Sequence, residues 1–145
     1  MGDDEPIATD PRAVVERLNE TINAHDPAQG RNLFATDARF ITAAGRTLNL
    51  AGMAQLLVDT ASTFPDFHVR VVRWVVDGDT VVTEEVLEGT HNGEFGGLSA
   101  TGRPVALRMC HVTRVVDGRI VERVAYHDTA AVLRQLTERA TSTPR

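Results

Sequence analysis

The sequence contains no lysine: all 15 of its basic residues are arginine, set against 20 carboxylates. Without lysine there is no Schiff-base aldolase, no lysine-anchored pyridoxal phosphate and no phosphate-loop lysine. The single cysteine, Cys110, rules out an internal disulfide and a cysteine-rich zinc site. No His-x3-His or Cys-x2-Cys spacing occurs, so no metal is expected. Gly93–Gly97 does not stand between a strand and a helix, which argues against a dinucleotide. Ser62, Ser99 and Ser142 carry no nucleophile-elbow motif. No apolar run approaches the roughly 18 residues of a membrane span. The acidic start, Met1–Pro6, lacks the apolar core of a signal peptide, so a cytoplasmic location is expected. A net charge of -5 leaves no basic face for nucleic acid.

What remains is ordinary globular composition, 42% hydrophobic and 24% charged. A length of 145 residues predicts one domain with room for a ligand cavity. Residues 1–9 and 139–145 read as flexible tails around a domain over 10–138. Asp10 and Pro11 start a helix whose apolar face is Val14, Val15, Leu18 and Ile22. Asp26-Pro27 ends it and caps a short second helix through Leu33 and Phe34. Arg39–Thr42 reads as a short strand. Asn49 caps a third helix with Leu50, Met53, Leu56 and Leu57 on its buried side, and Pro65 ends it.

The pattern then changes to strands. His68–Val76 and Val81–Leu87 flank a hairpin turn at Asp77-Gly78. His91–Arg103, with four glycines, is a long irregular connection. Val105–Val116 and Ile120–His127 flank a second turn at Asp117-Gly118, and Asp128 caps a last helix. This order predicts an α+β domain, a curved antiparallel sheet packed by helices around an internal pocket.

Several phrases, taken together, resemble the SnoaL-like polyketide cyclase family of the NTF2-like superfamily. They are Phe64-Pro65-Asp66, Gly89-Thr90-His91-Asn92-Gly93-Glu94-Phe95, Thr101-Gly102-Arg103, Asp117-Gly118-Arg119-Ile120-Val121-Glu122 and Leu133-Arg134-Gln135-Leu136. The resemblance covers about residues 10–137. It implies a cone-shaped α+β barrel with a deep apolar pocket, a small hydrophobic substrate, no cofactor, and a homo-oligomer (dimer or tetramer). It also implies cyclisation of a polyketide-type or polycyclic ketone by aldol-type acid/base chemistry. Relatives on the same scaffold include isomerases, hydratases, epoxide hydrolases, oxygenation partners and ligand-binding or accessory proteins.

By that resemblance the pocket histidine falls on His111 and the family aspartate on Ala125. His111 is therefore the leading acid/base, with His127 or Asp128 assisting. Strand alternation puts Leu107, Met109 and Thr113 on the face of His111, with Arg108 and Arg114 outside. It puts Val121, Arg123 and His127 on the face of Ala125, unless a bulge turns Tyr126 and Asp128 inward. Phe40, Phe64, Trp74 and Met109 are candidate pocket walls, and Arg123, Ala125 and Tyr126 candidate substrate contacts. His91 is expected to shape its loop. Of Glu84 and Glu85 one faces inward, either as a base of raised pKa or as an edge or oligomer contact.

Overall fold

Asp10 and Pro11 begin the first helix as expected. In α1 (Pro11–Asn23) the Asp10 carboxylate accepts the Arg12 N–H, filling one of the open donors of the first turn. The structure, a computed structural model, describes residues 10–138. The expected tails, 1–9 and 139–145, lie outside the described residues. Helix α2 (Pro27–Arg31) follows its own cap, Asp26. It ends before Leu33 and Phe34, short of the extent the sequence predicts.

Strand β1 (Phe34–Ile41) is therefore longer than Arg39–Thr42. Its first half is hard to read because its pairing breaks register between Phe34 and Arg39, so no clean alternation marks it. A two-residue strand, β2 (Thr47–Leu48), follows, and Asn49 caps α3 (Leu50–Thr63) through the Gly52 N–H. Then come β3 (His68–Asp77), β4 (Thr80–Thr90), β5 (Pro104–Val116), β6 (Arg119–His127) and α4 (Thr129–Thr137).

The six strands form one curved, unclosed sheet in the order β2-β1-β6-β5-β4-β3. Strands β3 to β6 are antiparallel as predicted, whereas β1 lies parallel to β6. The two Val-Val-Asp-Gly turns are not equivalent. Val116 pairs with Arg119, leaving Asp117-Gly118 as the loop, both at positive φ. Asp77 pairs with Thr80, so the first loop is Gly78-Asp79, one residue later than expected.

Two apolar clusters hold helices to the sheet. Val14, Val15 and Leu18 of α1 meet Val81, Val115 and Ile120. Val132 and Leu136 of α4 meet Phe67, Val105 and Leu107. Ile120 occupies the inward place expected of Val121. The register slips between Arg114 and Val115, so that Val115 pairs with Ile120 and Val121 is extra. A bulge of this kind flips alternation on one side of itself. It lies upstream of Arg123, so Arg123, Ala125 and His127 keep the predicted face.

The long connection is tied by His91. Its Nδ1 accepts the Thr101 N–H at 3.1 Å, and its N–H and C=O bond Arg103 and Gly102. This is the loop-shaping role expected of it. Helix α3 departs from expectation instructively. Leu50, Met53, Leu56 and Leu57 line a cavity, and of the four Leu57 also packs against the α4 cluster.

Candidate functional site

A cavity of about 490 Å³ lies between α3 and the sheet. Its walls include Phe40, Phe64, Leu87, Leu107, Met109 and Val132. Into this apolar space three adjacent strands direct charged or polar groups. Alternation along β4 turns Val81, Thr83 and Glu85 inward, all almost fully buried. The same alternation on β5 brings in Met109, His111 and Thr113, and on β6 Arg123, Ala125 and His127.

Glu85, 2% exposed, is the hub. His111 Nδ1 lies 2.8 Å from its Oε2. Thr83 donates its hydroxyl proton to the same carboxylate. Arg123 Nη2 stands 3.7 Å away, and its Nη1 donates to Thr113 Oγ1 at 2.8 Å. Burial alone would push the Glu85 carboxyl up. The His111 hydrogen bond, the charges of His111 and Arg123, and the Thr83 hydroxyl outweigh it and hold Glu85 at about 2.

Glu85 is thus an ionised acceptor at neutral pH. Nδ1 of His111 must then carry the proton, which leaves the Nε2 lone pair available. That nitrogen has no hydrogen-bond partner among the described residues. Burial and then the Arg123 charge lower the His111 pKa, against the raising effect of Glu85. The imidazole is therefore a neutral base held in one tautomer. Burial also lowers Arg123, opposed by Glu85, though an arginine stays charged at any ordinary pH. His127 is lowered by burial, opposed by Asp128.

Of the residues chosen from the sequence, His111, His127, Arg123, Ala125, Phe40, Phe64 and Met109 line this one cavity. Phe40 is tilted against the His111 ring at 6.2 Å between centroids. Three choices are corrected. Trp74 does not line the cavity; it packs by the α1 cluster, with Arg12 over its ring at 4.7 Å. Tyr126 is on the opposite face of the sheet and 58% exposed, because no bulge intervenes between Ala125 and His127. Asp128 caps α4 through the Ala130 N–H and pairs with Arg134 at 3.1 Å, outside the cavity lining.

Glu85 was the residue sequence reasoning left open. The signal lay in Val81-x-Thr83-x-Glu85-x-Leu87, whose two apolar ends fix the face. Its pKa runs opposite to the raised value expected of a buried Glu, because a cation and two donors surround it. Among the described residues no group of three His, Cys, Asp or Glu could hold a metal ion, and no helix is long and apolar enough to cross a membrane.

Comparison with known proteins bears on the family and the fold. The profile of the SnoaL-like polyketide cyclase family matches residues 12–136. IdmH of Streptomyces antibioticus, a candidate polyketide cyclase, is 34% identical over 88% of this chain and 98% of its own, with a TM-score of 0.80. Aklanonic acid methyl ester cyclase DnrD of Streptomyces peucetius is 32% identical over 71 residues, 49% of either chain. The chain thus spans about half the length of the curated relatives it matches. AclR of Streptomyces galilaeus, a candidate hydroxylase, is 23% identical and shares the fold, with a TM-score of 0.81 over 93% of this chain and 85% of its own.

Proposed function

Since the chain belongs to the SnoaL-like polyketide cyclase family, we propose that it closes a ring on a polyketide-type or polycyclic ketone by acid/base chemistry at His111. The observation that carries this is the neutral imidazole, locked by buried Glu85 and facing an apolar cavity. His111 Nε2 removes a proton from a carbon beside a carbonyl, giving an enolate and an imidazolium. Glu85 stabilises that cation at Nδ1 and Arg123 the negative charge in the same cavity. The enolate carbon attacks a second carbonyl of the same molecule. One carbon–carbon bond forms, and the resulting alkoxide takes its proton back from His111. Atoms balance, and neither an oxidant nor an iminium is required. The apolar walls hold the chain folded so that the reacting carbons meet. His127 is the candidate for assistance at the other end of the pair Met109 and His127.

Ala125 supports a second reading. The family aspartate is absent there, so the same proton abstraction without ring closure would make the protein an isomerase. One experiment separates the two. Aklanonic acid methyl ester is offered in deuterated water to the wild type and to His111→Gln. A cyclised product, lost with His111→Gln, is expected, with its new deuteron on the exchangeable alkoxide oxygen and none added to carbon by the ring closure. Deuterium uptake without cyclisation favours the isomerase, and neither event overturns both.

The homo-oligomer is supported by an apolar row on the opposite sheet face. Val75, Val82, Val112 and Val124 pair in sequence across four strands there. Light scattering on the purified protein tests it, and a monomer at micromolar concentration would remove it.

A further inference from the structure

The cavity mouth carries charge that the acid/base cluster does not use. Arg31 ends α2 and Arg46 stands in the turn between β1 and β2, and both are exposed residues lining the cavity. Seven other arginines have a carboxylate within 4.0 Å. Among the described residues, Arg31 and Arg46 have none; neither do Arg17, Arg103, Arg108 and Arg119, but those four do not line the cavity. The turn that bears Arg46 is braced, with Thr42 N–H donating to the Arg46 carbonyl at 2.8 Å and Arg46 N–H to Thr42 Oγ1 at 3.0 Å.

Small residues, Pro27, Ala43 and Ala44, also line the cavity. The one carboxylate at the mouth is Asp26, which accepts the Gln29 N–H at 3.2 Å as the cap of α2. The rim therefore holds two guanidinium groups against one carboxylate, in a chain whose net charge is -5. Below it the walls are apolar, and the Glu85–Arg123 pair cancels its own charge.

We propose that the ligand is an amphiphile, a flat apolar body in the cavity with a carboxylate held at the mouth by Arg31 and Arg46. Guanidinium forks match a carboxylate in geometry as well as charge. This rests on the cavity being the reaction chamber, and it adds an orientation. The acid end stays at the rim and the opposite end meets His111.

The test uses two probes with one body, 4-(1-pyrenyl)butyrate and 4-(1-pyrenyl)butanol, followed by pyrene fluorescence at low salt. The acid is expected to bind about tenfold tighter than the alcohol, each displacing the other, since two exposed charge-assisted contacts are screened but additive. Arg31→Gln with Arg46→Gln removes the preference and leaves the alcohol unchanged, while the two Arg→Lys changes keep most of it. Equal affinity for both probes overturns the proposal. So does a preference that survives the double Gln variant, or probes that do not compete. His111→Gln keeps the preference, so failure of the acid/base reading and failure of this one are read separately.

Discussion

Glu85 and His111, both buried, are joined through Nδ1 and Oε2 at 2.8 Å, on neighbouring strands whose alternation turns them into one cavity. The carboxylate does two things to the imidazole: it fixes the tautomer, and it raises the pKa that burial and Arg123 lower. Glu85→Gln keeps an oxygen for Nδ1–H and removes the charge. The His111 pKa then falls further, so the acid limb of the pH–rate profile moves to lower pH. Turnover drops because the imidazolium loses its counter-charge, with KM little altered. Stability drops too, by about 3 kcal/mol, since Arg123 is left unpaired. If Glu85 were only structural, the active fraction would fall and the limb would stay where it was.

His111 itself offers the larger effect. A positioned general base contributes on the order of 10² to 10⁴ in rate. His111→Gln should lose turnover by that factor and still bind apolar ligands. Steady-state kinetics beside a binding titration measures both. Turnover within a few fold of the wild type would remove His111 from the chemistry.

The same cluster sets how stability responds to acid. His111 has a folded pKa below its ordinary 6.5, so below that pH the unfolded chain takes up more protons and stability falls. Glu85, at about 2 against 4.5, adds a second loss between those values, on the order of 3 kcal/mol. Both signs agree: stability rises with pH up to neutrality. Urea unfolding from pH 7 to pH 3 should show this slope, and Glu85→Gln should flatten its lower part. A chain equally stable at pH 3.5 and 7 contradicts the ionised Glu85.

Asp128 and Tyr126 predict an absence of effect on catalysis. Asp128 spends its carboxylate on the Ala130 N–H and Arg134, and Tyr126 faces away from the cavity. Asp128→Ala should lower the melting temperature through the lost cap and leave kcat as it is. Tyr126→Phe should change neither. A large fall in kcat with either variant would place these groups in the site after all.

The elements with local signals were legible in the sequence. Asp10, Asn49 and Asp128 announced helix starts because a cap is a short-range hydrogen bond. Inward His111 followed from alternation between Arg108 and Arg114. What escaped depends on neighbours distant in sequence. The bulge at Val121 is defined by Arg114 and Val115 across the hairpin, and single-strand alternation carries no trace of it. Glu85 needed both its face and its partners, Thr83 two residues away and Arg123 on β6, before its pKa could be given a sign. Arg31 and Arg46 share a cavity only because the fold brings α2 and the β1–β2 turn to line it. The outward Tyr126 was lost to an imagined bulge, where the strand in fact continues regularly.

Ala125 supplies the complementary prediction to Glu85. It is the direct cross-strand partner of His111, buried, and part of the cavity lining. Ala125→Asp places a second carboxylate near the imidazole from β6. A nearby negative charge favours the imidazolium, so the His111 pKa rises and the acid limb moves to higher pH, opposite to Glu85→Gln. The new acid enters a buried site whose nearby donors, Arg123 and His111 Nδ1, are already engaged by Thr113 and Glu85. It should therefore destabilise the fold by a few kcal/mol even as it offers a second proton relay. The direction of the limb is the decisive reading, because loss of stability lowers the amount of active protein without changing its profile. A limb that stays fixed, or moves with Glu85→Gln in the same direction, would mean that charge at these two positions does not reach His111. The imidazole would then not be the titrating base.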